Sequence, residues 1–168
     1  PTHSHPVLFV ILHGDSPRED PNYHYYIARR IVDTVPGSIA AALLRPGYAD
    51  GLGAQSQGTR GLTTGDNYTP EDVDAIDSAI ERLRATYHPA RVILVGHSGG
   101  AAIAADILGR HPKAAGAAFL VGCPCDVPAW RAYMMQKQFA PIWSEPVRSL
   151  SPMTLVGGKC VAVWPHSL

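Results

Sequence analysis

The chain contains five short apolar runs, and these constrain its fold more than any other feature. The first, VLFVIL, is continuous and rich in β-branched residues, which is typical of a strand buried on both faces of a parallel sheet. The runs occupy residues 7–12, 38–44, 91–95, 114–122 and 160–164. They predict five strands in this order along the chain.

The segments between these runs carry the spacing and end signals of helices. Residues 23–35 place apolar side chains at helical spacing and stop at a Pro-Gly pair. A second helix begins at residue 69, where the sequence TPED offers a threonine cap, a proline at the first helical position and acids in the first turn. Residues 99–108 and 128–139 complete the predicted helices.

The alternation of strands and helices predicts an α/β fold. We expect a three-layer sandwich in which a mainly parallel five-stranded sheet, ordered 2-1-3-4-5, carries helices on both faces. The chain has 168 residues, which suits one domain over 1–168. Residues 45–69 form a long polar loop, and the Gly-rich part at 51–68 is long enough to border a pocket.

Composition and charge argue against several classes of function. The 14 basic and 14 acidic side chains leave no basic surface for nucleic acid. No apolar run approaches the about 20 residues of a membrane span. No signal peptide is visible, but the chain starts at Pro1, so cytoplasmic and exported locations both stay open. Without a C-x-x-C pair or a phosphate-binding loop, we expect neither metal nor cofactor.

The three cysteines are Cys123, Cys125 and Cys160. The first two are separated by a single residue, which argues against an ordinary bridge between them. A pair between Cys160 and either of the others is an alternative that the sequence does not require. We therefore expect buried free thiols.

One motif carries chemistry: Gly96-His97-Ser98-Gly99-Gly100, between the third strand and the helix that follows. A chain that turns from strand to helix within a few residues holds the serine in a strained conformation, with its hydroxyl projecting from the sheet edge. The glycines avoid clashes in this turn. The helix start directs free N–H groups and its positive dipole end towards the same point. Ser98 is therefore the candidate nucleophile.

A second motif, His13-Gly14-Asp15, ends the first strand. The predicted order makes the first and third strands neighbours, and ligands bind at the carboxyl ends of strands where the order reverses. We expect a backbone N–H of Gly14 or Asp15 to join that of Gly99 in an oxyanion hole. We interpret His13 as an anchor of this loop rather than as the general base.

These residues resemble the α/β-hydrolase superfamily, in LHGD at 12–15, GHSGG at 96–100 and the alternation around them. The resemblance covers residues 7–163 and is nearest to compact bacterial esterase-like or prolyl-oligopeptidase-like members. It implies a serine esterase that forms an acyl-enzyme. Members of the superfamily usually have two strands before the HG strand, and this sequence has no counterpart of them. The acid and the His-bearing segment that such members usually carry have no counterpart in this sequence either.

A base for Ser98 must be a histidine within hydrogen-bond reach. Among the eight histidines we prefer His166, because it follows the fifth strand at the carboxyl edge of the sheet. An exposed tail histidine without a role is the alternative. Asp126 follows the fourth strand, where some members of the superfamily keep their acid. Its alternative role is to cap the helix at 128–139.

The predicted function is cleavage of a small-molecule carboxylic ester through an acyl-enzyme on Ser98. Two alternatives stay open: a peptidase or thioesterase with the same motif, and an inactive fragment or binding module that retains the fold. The edge of the fifth strand also predicts pairing with a second copy of the chain, as a homodimer.

Overall fold

A four-stranded parallel sheet lies between helices in the computed structural model, which describes residues 5–61, 65, 67–138, 141–144 and 146–156. The strands are β1 (Val7–Leu12), β2 (Ser38–Leu43), β3 (Arg91–His97) and β4 (Ala117–Val121). The helices are α1 (Tyr23–Thr34), α2 (Pro70–Tyr87), α3 (Gly99–Arg110), α4 (Val127–Gln138) and α5 (Pro152–Leu155), with a 3-10 turn at Pro141–Ser144.

The strand order is β2-β1-β3-β4, which confirms the predicted order for the first four strands. Val7 pairs with Ser38 on one side and with Arg91 on the other, and every strand pair is parallel. The predicted fifth strand at 160–164 lies outside the described residues, and the homodimer expected from its edge stays a prediction.

The two faces of the sheet pack against different helices. Alternate residues of β1 and β3 join α2 and α3 in the main apolar core, which includes Leu8, Val10, Leu12, Val92, Leu94, Ile76, Ile80, Ile103 and Ile107. On the opposite face, Tyr23 and Ile27 of α1 border Ile11 and Val95. The site at the carboxyl edge is thus supported from both sides of the sheet.

Helix α2 begins as its sequence predicts. The Thr69 side chain accepts a hydrogen bond from the Asp72 N–H at 3.3 Å, and Pro70 occupies the first helical position. This capping satisfies one of the N–H groups that a helix start leaves without a partner. None of the helices in the described part of the chain is long and apolar enough to cross a membrane.

Strand β4 is shorter than the predicted strand at 114–122 and spans Ala117–Val121. The Ala114 N–H donates to the His111 carbonyl at 2.8 Å, so the first residues of the apolar run belong to a turn. Ala114 and Ala115 are nevertheless buried, which explains why their apolar character indicated a strand. Burial without strand pairing produced the wrong boundary.

Cys123 and Cys125 form a disulfide, which corrects the expectation of free thiols. Their Cα atoms are 5.1 Å apart, within the usual range for bridged cysteines of about 4.4–6.8 Å. The expectation was wrong because a single intervening residue, Pro124, still leaves the two Cα atoms far enough apart. Both cysteines are buried.

Candidate active site

Ser98 stands at the turn between β3 and α3 in a conformation that side chains rarely adopt. Its φ is 51° and its ψ is −118°. A positive φ is costly for a residue with a Cβ atom and persists only where the surrounding structure imposes it. The Ser98 N–H donates to the Val121 carbonyl at 2.7 Å, and its own carbonyl accepts from Ala101 and Ala102 at the start of α3. Strand β4 and helix α3 therefore hold the turn.

The glycines of the motif allow α3 to approach the sheet closely. A Cβ atom at Gly100 would overlap the carbonyl oxygens of Leu12 and His13, and one at Gly96 would overlap the backbone of Gly100 and Ala101. The clashing atoms are backbone, which cannot move aside as the end of a flexible side chain can. The sequence motif therefore reflects a contact between the start of α3 and the end of β1.

The loop after β1 lies beside the Ser98 turn, as the predicted strand order requires. Leu12 pairs with Gly96, and a Cβ atom at Gly14 would lie 3.1 Å from Ser98 Cβ. The structure thus brings together Gly14, Ser98 and Gly99, three residues that the sequence assigned to one site.

Hydrogen bonding distinguishes the two N–H groups that the sequence left open for the oxyanion hole. The Gly14 N–H donates to Tyr23 Oη at 2.6 Å. The same hydroxyl is 2.7 Å from His97 Nδ1. No hydrogen bond between described residues engages the Asp15 N–H or the Gly99 N–H. These two groups are therefore the candidate donors, and Gly14 supports the loop.

The Asp15 side chain is buried, with only 2% of it exposed, and accepts from three donors. They are the Arg45 guanidinium at 2.7 Å, the Tyr68 hydroxyl at 2.5 Å and the Gly65 N–H at 2.8 Å. The carboxylate also fills the space where Gly99 would carry a Cβ atom. Asp15 therefore connects the loop after β1, the 45–69 loop and the start of α3.

Charge compensation explains how this buried cluster is stable. Burial disfavours the charge on Arg45, but the Asp15 carboxylate and the nearby Tyr48 and Tyr68 rings hold the pKa of its guanidinium above the usual value. Burial, followed by the negative charge of Asp15, raises the pKa of the Tyr68 hydroxyl. Tyr68 therefore keeps its proton and donates a hydrogen bond to Asp15.

His13 is fully buried, and both of its ring nitrogens have partners. Nε2 accepts from the Arg45 N–H at 3.0 Å, and Nδ1 donates to the Gly14 carbonyl at 2.8 Å. Burial, assisted by the positive charge of Arg45, lowers the pKa of His13 to about 3. A neutral His13 whose two ring nitrogens both have hydrogen-bond partners anchors the loop after β1, as we interpreted it from the sequence.

Asp126 and His166 are the other two candidates, and over the described residues no hydrogen bond joins Asp126 to Ser98. Asp126 is exposed, and its Oδ1 accepts from the Ala129 N–H at 3.0 Å, which caps α4. His166 lies outside the described residues. Over those residues, Ser98 Oγ makes no hydrogen bond to a histidine, and no group of three or more His, Cys, Asp or Glu side chains could hold a metal ion.

Three residues of the site were not singled out from the sequence: Tyr23, Arg45 and Tyr68. Each contacts a group far away along the chain, such as Tyr23 with His97 or Tyr68 with Asp15. The one available signal was the long 51–68 loop, which was expected to border a pocket. That signal indicates a region but not a contact.

Comparison with known proteins agrees with this fold. Residues 9–165 match a family model described as "Alpha/beta hydrolase family", and the chain belongs to this family. No curated protein sequence matches the chain.

Two solved structures are similar to this chain at low sequence identity. One is an esterase of Pyrococcus furiosus, with a TM-score of 0.59, 16% identity and coverage of 93% of this chain and 58% of that one. The other is the catalytic core domain of acetyl xylan esterase from Trichoderma reesei, with a TM-score of 0.50, 19% identity and coverage of 73% and 66%. The chain thus spans about two thirds or less of these structures, and the likeness concerns the fold.

Proposed function

We propose that this chain is a serine hydrolase that cleaves carboxylic esters, with Ser98 as the nucleophile. The observation that carries the proposal is the backbone at Ser98, whose φ of 51° is imposed between a strand and a helix start. Strain of this kind is concentrated at functional sites, and a strand–turn–helix context is the one in which G-x-S-x-G marks a nucleophile. Membership of the hydrolase family supports the same reaction class.

In the proposed reaction Ser98 Oγ attacks the acyl carbon while a base takes its proton. The carbonyl π electrons move onto oxygen, and the N–H groups of Asp15 and Gly99 stabilise the resulting oxyanion. Collapse of this intermediate expels the alcohol, which receives the proton, and leaves an acyl-enzyme. Water then gives a proton to the base and attacks the carbonyl of the acyl-enzyme. Collapse of this second intermediate releases the acid, and the base passes the proton from water to Ser98 Oγ.

The base and the acid belong to the proposal as well. His13 is unsuited to the role because both of its nitrogens are engaged, and His111 lies at the far end of α3 beside Asp74 and Asp77. We therefore retain His166 as the base. Asp126 is retained as the residue that orients it, because an exposed carboxylate can leave its cap at modest cost.

An ester assay combined with active-site labelling tests the nucleophile. The wild type should hydrolyse a short-chain acyl ester and react with a fluorophosphonate probe, and Ser98→Ala should abolish both. Ser78→Ala is the matched control, because Ser78 is exposed on α2 and its hydroxyl donates to the Asp74 carbonyl of the same helix. Labelling that survives in Ser98→Ala would reject the assignment, and an unreactive wild type would favour a binding module.

A second pair of variants tests the base. His166→Ala should reduce the rate about as much as Ser98→Ala, because members of one catalytic unit fail together. Asp126→Asn should lower kcat while retaining part of the capping contact. Unchanged activity in His166→Ala would assign the base to another histidine.

A further inference from the structure

Tyr23 connects the two segments of the chain that meet at the candidate site. It is the first residue of α1, on the face of the sheet opposite α2 and α3. Its hydroxyl lies 2.6 Å from the Gly14 nitrogen, in the loop after β1, and 2.7 Å from His97 Nδ1, in the turn after β3. Its ring also meets the His97 ring edge to face, with centroids 5.5 Å apart.

In one arrangement of the protons, every donor in this chain of contacts has an acceptor within it. The Gly14 N–H can only donate, so the Tyr23 oxygen accepts from it. The Tyr23 O–H is then free to donate to His97 Nδ1, when the imidazole carries its proton on Nε2. Burial raises the pKa of Tyr23, so the phenol keeps this proton at neutral pH. Hydrogen bonds that run in one direction strengthen each other.

Each segment that Tyr23 holds is next to one half of the proposed oxyanion hole. Gly14 directly precedes Asp15, the proposed donor of the β1 loop. His97 directly precedes Ser98, which is followed by Gly99, the other proposed donor. Oxyanion donors act at about 2.7–3.1 Å from the position of the developing charge, so the spacing of the two segments determines how well both donors reach it.

We infer that Tyr23 is a positioning residue for ester hydrolysis, whose hydroxyl sets the spacing between the Asp15 and Gly99 donors by bridging Gly14 to His97. This inference rests on the proposed function. The Tyr23 hydroxyl contacts the Gly14 nitrogen and His97 Nδ1, so in this role it acts through the backbone of Gly14 and the ring of His97. The Asp15 carboxylate holds the same loop from the opposite side, through Arg45 and Tyr68.

The variant that tests this role is Tyr23→Phe, which keeps the ring and removes the bridging oxygen. The matched control is Tyr26→Phe, because Tyr26 lies on the same helix with 62% of its surface exposed. We expect kcat for a short-chain ester to fall about 10–100-fold in Tyr23→Phe, less than the loss of a whole oxyanion donor, with KM nearly unchanged. Tyr26→Phe should match the wild type.

A transition-state analogue separates positioning from a general structural role. A trifluoromethyl ketone forms a tetrahedral adduct on a nucleophilic serine and places an oxyanion in the hole. Its affinity should fall in Tyr23→Phe by the same factor as kcat/KM, while the affinity for the product carboxylic acid stays constant. Parallel loss of both affinities would assign Tyr23 to the fold and overturn the inference.

Variants of His97 test the bridge itself. His97→Asn places an oxygen where Nδ1 lies and should keep most of the activity. His97→Leu removes the acceptor and should resemble Tyr23→Phe, and the double variant should lose little more than either single one, because coupled residues are non-additive. Wild-type kcat in His97→Leu would overturn the bridging role.

Ser98→Ala, measured beside these variants, separates the two proposals. Loss of activity in Ser98→Ala together with normal kcat in Tyr23→Phe overturns only the positioning role. An inactive wild type, or activity that survives Ser98→Ala, overturns the proposed function and the positioning role together.

Discussion

Two acidic residues that follow the strands on either side of β3 are held in very different ways. Asp15, after β1, is buried and accepts from Arg45, Tyr68 and the backbone of Gly65. Asp126, after β4, is exposed and accepts from one nearby backbone N–H in α4. One carboxylate is fixed by residues from distant parts of the chain, and the other by its own helix.

Because of this difference, Asp15 and Asp126 are suited to different parts of the proposed reaction. A carboxylate committed to a buried guanidinium cannot orient a histidine without leaving Arg45 uncompensated, but it can hold backbone donors in place. An exposed carboxylate at a helix cap can turn towards a histidine at modest cost. The comparison therefore supports Asp126 over Asp15 as the proposed acid.

The largest expected effect is that of Asp15→Ala. It leaves the buried Arg45 charge without its partner, so we expect the free energy of unfolding to fall by about 3–5 kcal/mol. Asp20→Ala is the matched control, because Asp20 pairs with Arg60 at 3.4 Å on the surface, and we expect it to cost less than about 1 kcal/mol. Urea unfolding measures both, and equal losses would contradict the comparison.

The pH dependence of the free energy of unfolding should reveal the lowered pKa of buried His13, which lies two residues before Asp15. Burial lowers its pKa from 6.5 to about 3 in the folded chain, so the unfolded chain binds the proton more readily between these values. Stability contributed by neutral His13 is present above pH 6.5 and is lost as pH falls towards 3. We expect this loss to approach about 2–4 kcal/mol.

The measurement compares wild type and His13→Gln by urea unfolding at several pH values. His13→Gln cannot titrate, so its deficit relative to wild type should shrink as the solution becomes more acidic. His5→Gln, at an exposed position, serves as the control and should track the wild type. A deficit that stays constant with pH would show that His13 titrates normally.

Gly100→Ala tests the close contact between the start of α3 and the end of β1. Alanine favours a helix over glycine by about 1 kcal/mol, yet its Cβ atom would overlap the Leu12 and His13 carbonyls. We expect a net loss of stability of about 1–3 kcal/mol. Gly116→Ala is the control, since the nearest atom to its Cβ would be the Val92 carbonyl oxygen at 3.9 Å. Thermal unfolding compares the two, and a stabilised Gly100→Ala would contradict the close packing.

The smallest expected effect is that of Asp126→Ala. Loss of the cap on α4 should lower the free energy of unfolding by about 1 kcal/mol. Asp126→Asn retains a capping oxygen and should be nearly as stable as wild type. A loss in Asp126→Ala as large as that in Asp15→Ala would show that the two carboxylates are held alike.

The sequence predicted the regular elements well because their signals are local. Strand β1 has the predicted bounds, and β2 and α1 each differ by one residue at one end. Strand β3 extends two residues beyond the prediction, into the glycine motif. The Cys123–Cys125 disulfide was missed because sequence separation describes the backbone path poorly over so short a span.

The sequence predicted only part of the candidate site, chiefly the residues that belong to its two motifs. The strand order placed Gly14 beside Ser98, because it follows from alternation and handedness. Arg45 and Tyr23 were missed because each has a partner distant in sequence: Asp15 is 30 residues from Arg45, and His97 is 74 residues from Tyr23. No pattern in one sequence marks such a pair. The Gly14 N–H donates to Tyr23, so Gly14 supports the loop and is no longer a candidate oxyanion donor. Motif spacing could not indicate this contact.

The pairing of β1 with β3 has a consequence for the kinetics of folding. Val7 pairs with Ser38 and also with Arg91, so the second pairing closes a much longer loop of chain. Closing such a loop costs entropy before its contacts form, which makes folding of parallel sheets slow compared with helical bundles. Ser98 and the loop after β1 become neighbours only in this step. Recovery of fluorophosphonate labelling during refolding should therefore lag behind the return of helical circular dichroism.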